Sequence, residues 1–435
     1  MSFLIVAACM AVLILLLTWG KMNAFVAFML VSILAGLSLG ISPEKIPASL
    51  QKGIGDTIGG LLGIIVLGAM LGKLVAESGA ARQIANTLMQ LLGAKNVQWA
   101  LMIAGFIIGV PLYYGVGFVL MVPLIFSVVY QYKLPAVYIG LPTLAALSIT
   151  HGFLPPHPSP AALVTQFHAD MGLTLFYGLI VAIPALLLAG PLFSRLLVNM
   201  PSDSNKLFAQ SSNEEKPLPG KFNSFLTALL PVILLVATTA ATHMPAFQGN
   251  RWVLFLGDAP VVMLLAAVVA AFSLGTMQGT PMKQVMNTYA EAVKDIAMIV
   301  LIIAGSGALK QVLADSGVSN SIATAMQSWH IPVLVLGWLA AALIRACVGS
   351  ATIAGLTAAG MIGPLMIQSG ANPNLMVLSI GAGSLMFSHV NDAGFWMFKE
   401  YFNLSIKNTL LSWSVMETIV GITGLAGVLI LNCFF

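Results

Sequence analysis

Charge is what this sequence has least of. Asp, Glu, Lys and Arg make up 7% of its 435 residues, against about 25% in soluble domains, which excludes a water-facing globular surface. Cysteine is nearly absent too. Cys9, Cys347 and Cys433 lie scattered in apolar sequence, without the spacing of a disulfide framework or a metal site. No nucleophile–base triad stands out. GVGF (115–118) lacks the GK[ST] that would follow in a phosphate loop, so neither cofactor nor metal is expected. Aromatic and basic residues do not interleave, which removes nucleic acid as a partner. The apolar run 2–20 has no basic stretch before it and reads as an uncleaved first helix, not a signal peptide.

Hydrophobic residues are abundant, at 59%, with 41 glycines and 22 prolines. Apolar runs of about 20 residues, long enough to cross a bilayer, recur without the alternation of a membrane barrel. The fold expected is an all-α polytopic membrane protein in the lipid bilayer. Spans fall at about 2–20, 23–40, 57–78, 171–198, 222–243, 259–277, 293–314 and 408–433. Residues 79–96 read as a short polar segment. The long polar stretch, 200–221 (MPSDSNKLFAQSSNEEKPLPGK), links a repeat at 1–199 to another at 222–435.

The duplication shows at an offset of 238 residues, which places Glu77-Ser78-Gly79 on Asp315-Ser316-Gly317, Gly117 on Gly355, Pro135 on Pro373 and His151 on His389. Two motifs interrupt apolar sequence: THGFLPPHPSP (150–160) and SHVNDAGFW (388–396). Irregular backbone at membrane depth survives where protein or a water-filled cavity surrounds it. Each copy therefore carries a broken helix, and duplicated broken helices mark the binding site of a secondary transporter. Two further segments, 97–131 around VPLYYGVG and 330–370 around RACVGSATIAG, read as re-entrant hairpins that return to their own side. Each half then crosses five times, an odd number that inverts the second repeat. With the N-terminus outside, 12 of the 18 basic residues fall inside, as the positive-inside rule requires. The linker is thus cytoplasmic and both termini are periplasmic.

Arg345, between two apolar arms, costs about 2.5–3.5 kcal/mol at the bilayer centre unless it faces protein or water. It reads either as the cation for an anionic substrate or as the partner of a carboxylate such as Asp392. Gly349, Ser350 and Thr352 open a helix whose N–H groups suit an anion; small residues there also serve close packing. His151 and His389 flank the helix breaks with Ser388 and Asn391, and Tyr114 lies in the first hairpin. These side chains are candidates to meet substrate hydroxyls, or to pack. Asp392, His151 and His389 are the candidates to carry a proton. Glu77, Asp315 and Glu417 read as interfacial, and Lys73 as a residue that snorkels. The formal enzymatic alternative is a Ser350–His389 pair, and a passive channel or uniporter is the other rival.

At these motifs the sequence resembles the gluconate permease family. The strings that carry the likeness are GAMLGKLVAESGAA (68–81), THGFLPPHPSP (150–160), AGPLFS (189–194), LKQVLADSGV (309–318), VGSATIAG (348–355) and SHVNDAGFWMFKEYFNL (388–404). The resemblance implies a bacterial inner-membrane symporter for protons and gluconate or a related sugar acid, with two inverted repeats. It also implies the homodimer common in the wider ion-transporter superfamily. Relatives often carry an acid in the first hairpin where this chain has Gly115, a departure that bears on proton coupling.

Overall fold

Each apolar run becomes a helix, and the prolines, glycines and capping residues between them set where each one stops. The computed structural model describes residues 2–112, 114–202, 217–242, 244–317, 331–390 and 392–434. Among these every regular element is helical. Eight helices are long and apolar enough to cross a membrane, or ten if two bent pairs each count as a span. Large apolar side chains such as Leu196, Phe222 and Ile183 point outward from them, as a lipid-facing surface requires.

The first repeat runs α1 (Ser2–Thr18), α2 (Ala24–Ser38), α3 (Ile46–Glu77), α4 (Ala80–Leu92), α5 (Val97–Gly109), α6 (Tyr114–Tyr132), α7 (Ala136–Phe153), α8 (Pro158–Phe167) and α9 (Met171–Leu187). Helix α9 continues through a π-helical turn at Leu188–Leu192, where Gly190 and Pro191 break the regular ladder. The polar segment expected at 79–96 is in fact mostly helical. Helix α4 buries Ala80, Ala81, Ile84, Ala85 and Leu88 on one face, and the chain turns 117° from it into α5.

After the linker come α10 (Lys221–Thr242), the short α11 (Arg251–Gly257), α12 (Ala259–Ala270) and α13 (Met282–Asp315). Then follow α14 (Val333–Val348), α15 (Ala351–Ser369), α16 (Pro373–Leu385), α17 (Ala393–Tyr401), α18 (Ile406–Thr409) and α19 (Val415–Asn432). Most of the 200–221 linker lies outside the described residues.

Shifted by 238 residues, the bounds of α3, α5 and α6 fall within two residues of those of α13, α14 and α15. The duplication is therefore structural. It is also inverted, because the repeat mates α3 and α13 run antiparallel. Their contacts form a descending ladder: Lys52 with Gln311 (3.3 Å), Lys73 with Asp295 (2.9 Å), and Glu77 with Thr288 (2.7 Å). Near the start of this ladder Gly53 lies against Gly307, so close that a Cβ on either would collide with the other's carbonyl oxygen. Small residues let membrane helices approach in this way.

Each hairpin packs on the broken helix of its own repeat, α5 and α6 on α7, and α14 and α15 on α16. The hairpin tips are short. Val110, Pro111 and Leu112 turn the first, and Gly349, left-handed at φ 76°, closes α14 in the second. The breaks are less alike than the repeat implies. Helix α7 runs to Phe153, whereas α16 stops at Leu385, six residues sooner in register. His151 therefore sits in the last turn of a helix, and its sequence mate His389 sits in the break itself.

Candidate functional site

Two pairs of helix starts meet at the breaks. Helices α6 and α17 begin side by side, with Tyr114 facing Gly394. Helices α8 and α15 are paired through Ser159 and Gly355. Unpaired N–H groups at a helix start carry partial positive charge, so all four ends suit an anion. Proline at the first positions of α8 favours its start. Ser350 caps α15 by accepting from Ile353 N (3.4 Å), and Asp392 caps α17 by accepting from Gly394 N (3.0 Å).

Arg345 lies in the last turn of α14 and is 3% exposed. Its Nη2 donates to Asp392 Oδ2. Its Nε and Nη1 are buried without a hydrogen-bond partner among the described residues. The same Asp392 oxygen accepts from Ser388 Oγ, and Oδ1 accepts from Gly394 N, so both carboxylate oxygens are engaged. Ser388 is engaged on every side: its hydroxyl accepts from Trp413 Nε1 (2.8 Å), and its carbonyl accepts from Ser414 Oγ. The second break is thereby tied to the π-helical turn Leu410–Ser414 that leads into α19.

His389 Nε2 donates to the Ala346 carbonyl at 2.8 Å. Ser350 Oγ accepts the cap bond, and among the described residues no hydrogen bond joins it to His389. His157 Nε2 donates to the Gly109 carbonyl at 2.6 Å. His151 stands edge-on to His157, with ring centroids 5.5 Å apart, and 6.1 Å from the Tyr114 ring. Tyr114 Oη and His151 Nδ1 are also buried without partners among the described residues. Thr352 is half-buried in the first turn of α15. Asn391 lies outside the described residues. The structure thus gathers Arg345, Asp392, Ser388 and His389 at the second break, and Tyr114 and His151 beside it. Gly349, Ser350 and Thr352 form the adjoining tip.

One reading is overturned. Glu77 and Asp315 are exposed at the ends of α3 and α13, but Glu417 is not interfacial. It is 2% exposed and accepts from Ser148 Oγ at 2.6 Å. The span containing it starts at Ile406, which leaves Glu417 about three turns inside it. Lys73 pairs with Asp295 (2.9 Å) and lies near Glu77 (3.8 Å). This group borders a cavity of about 300 Å³, which Gly115 and Val116 also line. Nothing lies within 4 Å of where a Gly115 Cβ would be. His157 was legible only as a second histidine beside the prolines of the first break; Trp413, Ser414 and the Ser148–Glu417 bond were not assigned from sequence, and an acid within an apolar run was the one available signal.

A family profile, GntP family permease, matches residues 1–434. A high-affinity gluconate transporter of Escherichia coli (strain K12) is 46% identical, covering 99% of each chain. The Gnt-II system L-idonate transporter of the same strain is 45% identical, and a gluconate permease of Bacillus subtilis (strain 168) is 41% identical, each with 99% of both chains covered. Among solved structures, the YdaH transporter of Alcanivorax borkumensis aligns with a TM-score of 0.66 and 18% identity, over 94% of this chain and 96% of that one. That likeness concerns the fold.

Proposed function

The chain belongs to the GntP permease family, and on that premise we propose that it imports gluconate or a closely related sugar acid by proton symport. Secondary transport of a sugar-acid anion is what the family does; the coupling ion, the preferred acid and the site are the reading offered here. One observation carries it. Arg345 is buried where the second hairpin meets the second break, and among the described residues its Nε and Nη1 stay free after Nη2 satisfies Asp392. A guanidinium suits a carboxylate because its N–H groups are held in a fixed fork. Unsatisfied buried donors are rare in proteins, and a substrate carboxylate would complete this set. The starts of α15 and α17 add their dipoles, with Gly349, Ser350 and Thr352 at the tip. Tyr114, His151, His389 and Asn391 would meet the sugar hydroxyls, while Ser388 would act by holding Asp392 in place.

In this reading residues 1–199 and 222–435 are the two repeats, the 200–221 linker is cytoplasmic and both termini are periplasmic. The protein sits in the bacterial inner membrane and pairs as a homodimer. Facilitated diffusion is the second reading, favoured by the open cavity beside Gly115. Uptake of labelled gluconate into proteoliposomes decides between them. Symport requires accumulation above the outside concentration under an inward proton gradient, abolished by an uncoupler. Idonate, fructuronate, glycerate and D-serine as competitors rank the substrates. Cys433, exposed at the C-terminal end, should react with an impermeant thiol reagent added to intact cells after Cys347→Ser; labelling confined to inverted vesicles reverses the orientation.

A further inference from the structure

Among the described residues Glu417 is the one carboxylate that is fully buried. Ser148 Oγ donates to Oε1, while Oε2 is buried without a partner. No cation within ion-pair distance compensates it among those residues. A carboxylate enclosed in this way must be matched by a cation or exchange a proton. The helices around it offer no cation of its own. From α14 comes Arg345, already paired with Asp392. From α6 comes Tyr114, and from the second break Asp392 itself; all three are close enough to act on Glu417 electrostatically. Helix α7 carries His151 one turn beyond Ser148, and α9 carries Tyr177. Helix α16 and the two π-helical turns that pack on α19 bring no titratable side chain.

We infer that Glu417 is the group that takes up and releases the co-transported proton. This rests on the symport reading above and adds the residue. Of the three sequence candidates, His151 keeps Nδ1 without a partner among the described residues, but Asp392 and His389 are less free for the task. Both oxygens of Asp392 are bonded, one of them to Arg345, and His389 Nε2 is held by a carbonyl. Glu417 has one oxygen to spare. Binding a proton at Oε2 changes no other bond, and Ser148 remains on Oε1 in both states. Glu417 is also mechanically connected to the anion site. Asp392 is bonded to Ser388, Ser388 to Trp413 and Ser414, and Ser414 lies one turn before Glu417 on the same continuous helix. A shift of the second break when an anion reaches Arg345 is thereby transmitted to the surroundings of the acid.

The test uses the full chain in proteoliposomes with labelled gluconate. Glu417→Gln should lose accumulation driven by an inward proton gradient while retaining gluconate–gluconate counterflow. Gradient-driven accumulation that persists in Glu417→Gln overturns the assignment. An unaltered protein that exchanges gluconate but ignores the gradient removes the symport reading, and the role of Glu417 with it. Where Glu417→Gln fails to fold or loses counterflow as well, Ser148→Ala decides. It leaves the carboxylate in place but removes its hydrogen bond, so the pH of half-maximal uptake should move. An unchanged pH profile in that variant rejects the proposal.

Discussion

His157 and His389 do the same job in the two repeats without being aligned. Each sends Nε2 to a carbonyl at the end of the first arm of its own hairpin, Gly109 at 2.6 Å and Ala346 at 2.8 Å. Each histidine thus fastens a hairpin tip to the break of the neighbouring helix. Removing His157 takes this donor from the buried Gly109 carbonyl, a loss of about 1–3 kcal/mol. His157→Ala should be the more damaging, because His157 is 4% exposed and His389 is half-buried. Thermal unfolding of the purified variants in detergent measures this. Equal melting temperatures for His157→Ala and the unaltered protein would show that the bond holds nothing.

Arg345→Lys separates charge from geometry. Lysine keeps a cation for Asp392 but lacks the planar fork, so gluconate affinity should fall more than stability does. Ser350→Ala removes a helix cap worth about 1 kcal/mol. It should weaken binding by a further 0.5–1.5 kcal/mol, or up to about 3 if the lost bond is charge-assisted. Binding isotherms beside melting curves separate the two effects. Unchanged affinity in both well-folded variants removes the tip from the site.

Asp392→Asn leaves Arg345 buried without its counter-charge, for a loss of about 3–5 kcal/mol. The double variant Asp392→Asn with Arg345→Gln should recover part of that loss, since no buried ion then stands alone. Additive losses in the four-protein cycle would mean that the pair does not interact energetically.

Gly115→Glu should be tolerated. The cavity of about 300 Å³ beside it has room for the side chain, and Lys73 on its wall offers a partner. The substituted chain should fold and show an altered pH dependence of uptake without a new substrate preference. Aggregation of the variant would mean that the space is not available in the membrane.

Much of this arrangement was legible in the sequence. Helices, hairpins, breaks and the inverted duplication follow from run length, glycine and proline, and the offset of 238 residues. The pairing of Arg345 with Asp392 was legible as one of two alternatives, since a charge in apolar sequence needs either a partner or a ligand. What could not be read was register. A six-residue difference in where α7 and α16 end moves the anchoring role from His151 to His157, and sequence alignment alone points to the wrong histidine. Depth was equally hidden. Glu417 lies about three turns inside a span that starts at Ile406, and its burial comes from neighbours distant in sequence. The Ser148 bond joins residues 269 positions apart, and no local pattern announces it.

The crossing of Gly53 and Gly307 has a mechanical consequence. It joins one helix of each repeat backbone to backbone, so α3 and α13 cannot tilt toward each other, and sliding would drive the side chains flanking each glycine into the opposite chain. Lys73–Asp295 and Glu77–Thr288 rivet the same pair farther along. These two long helices therefore form a rigid seam between the repeats. The first hairpin tip and α8 are seated on that seam, through the Pro111 carbonyl against Gly72 and the Lys310–Gln166 bond (3.0 Å), so a movement of either break must work against it.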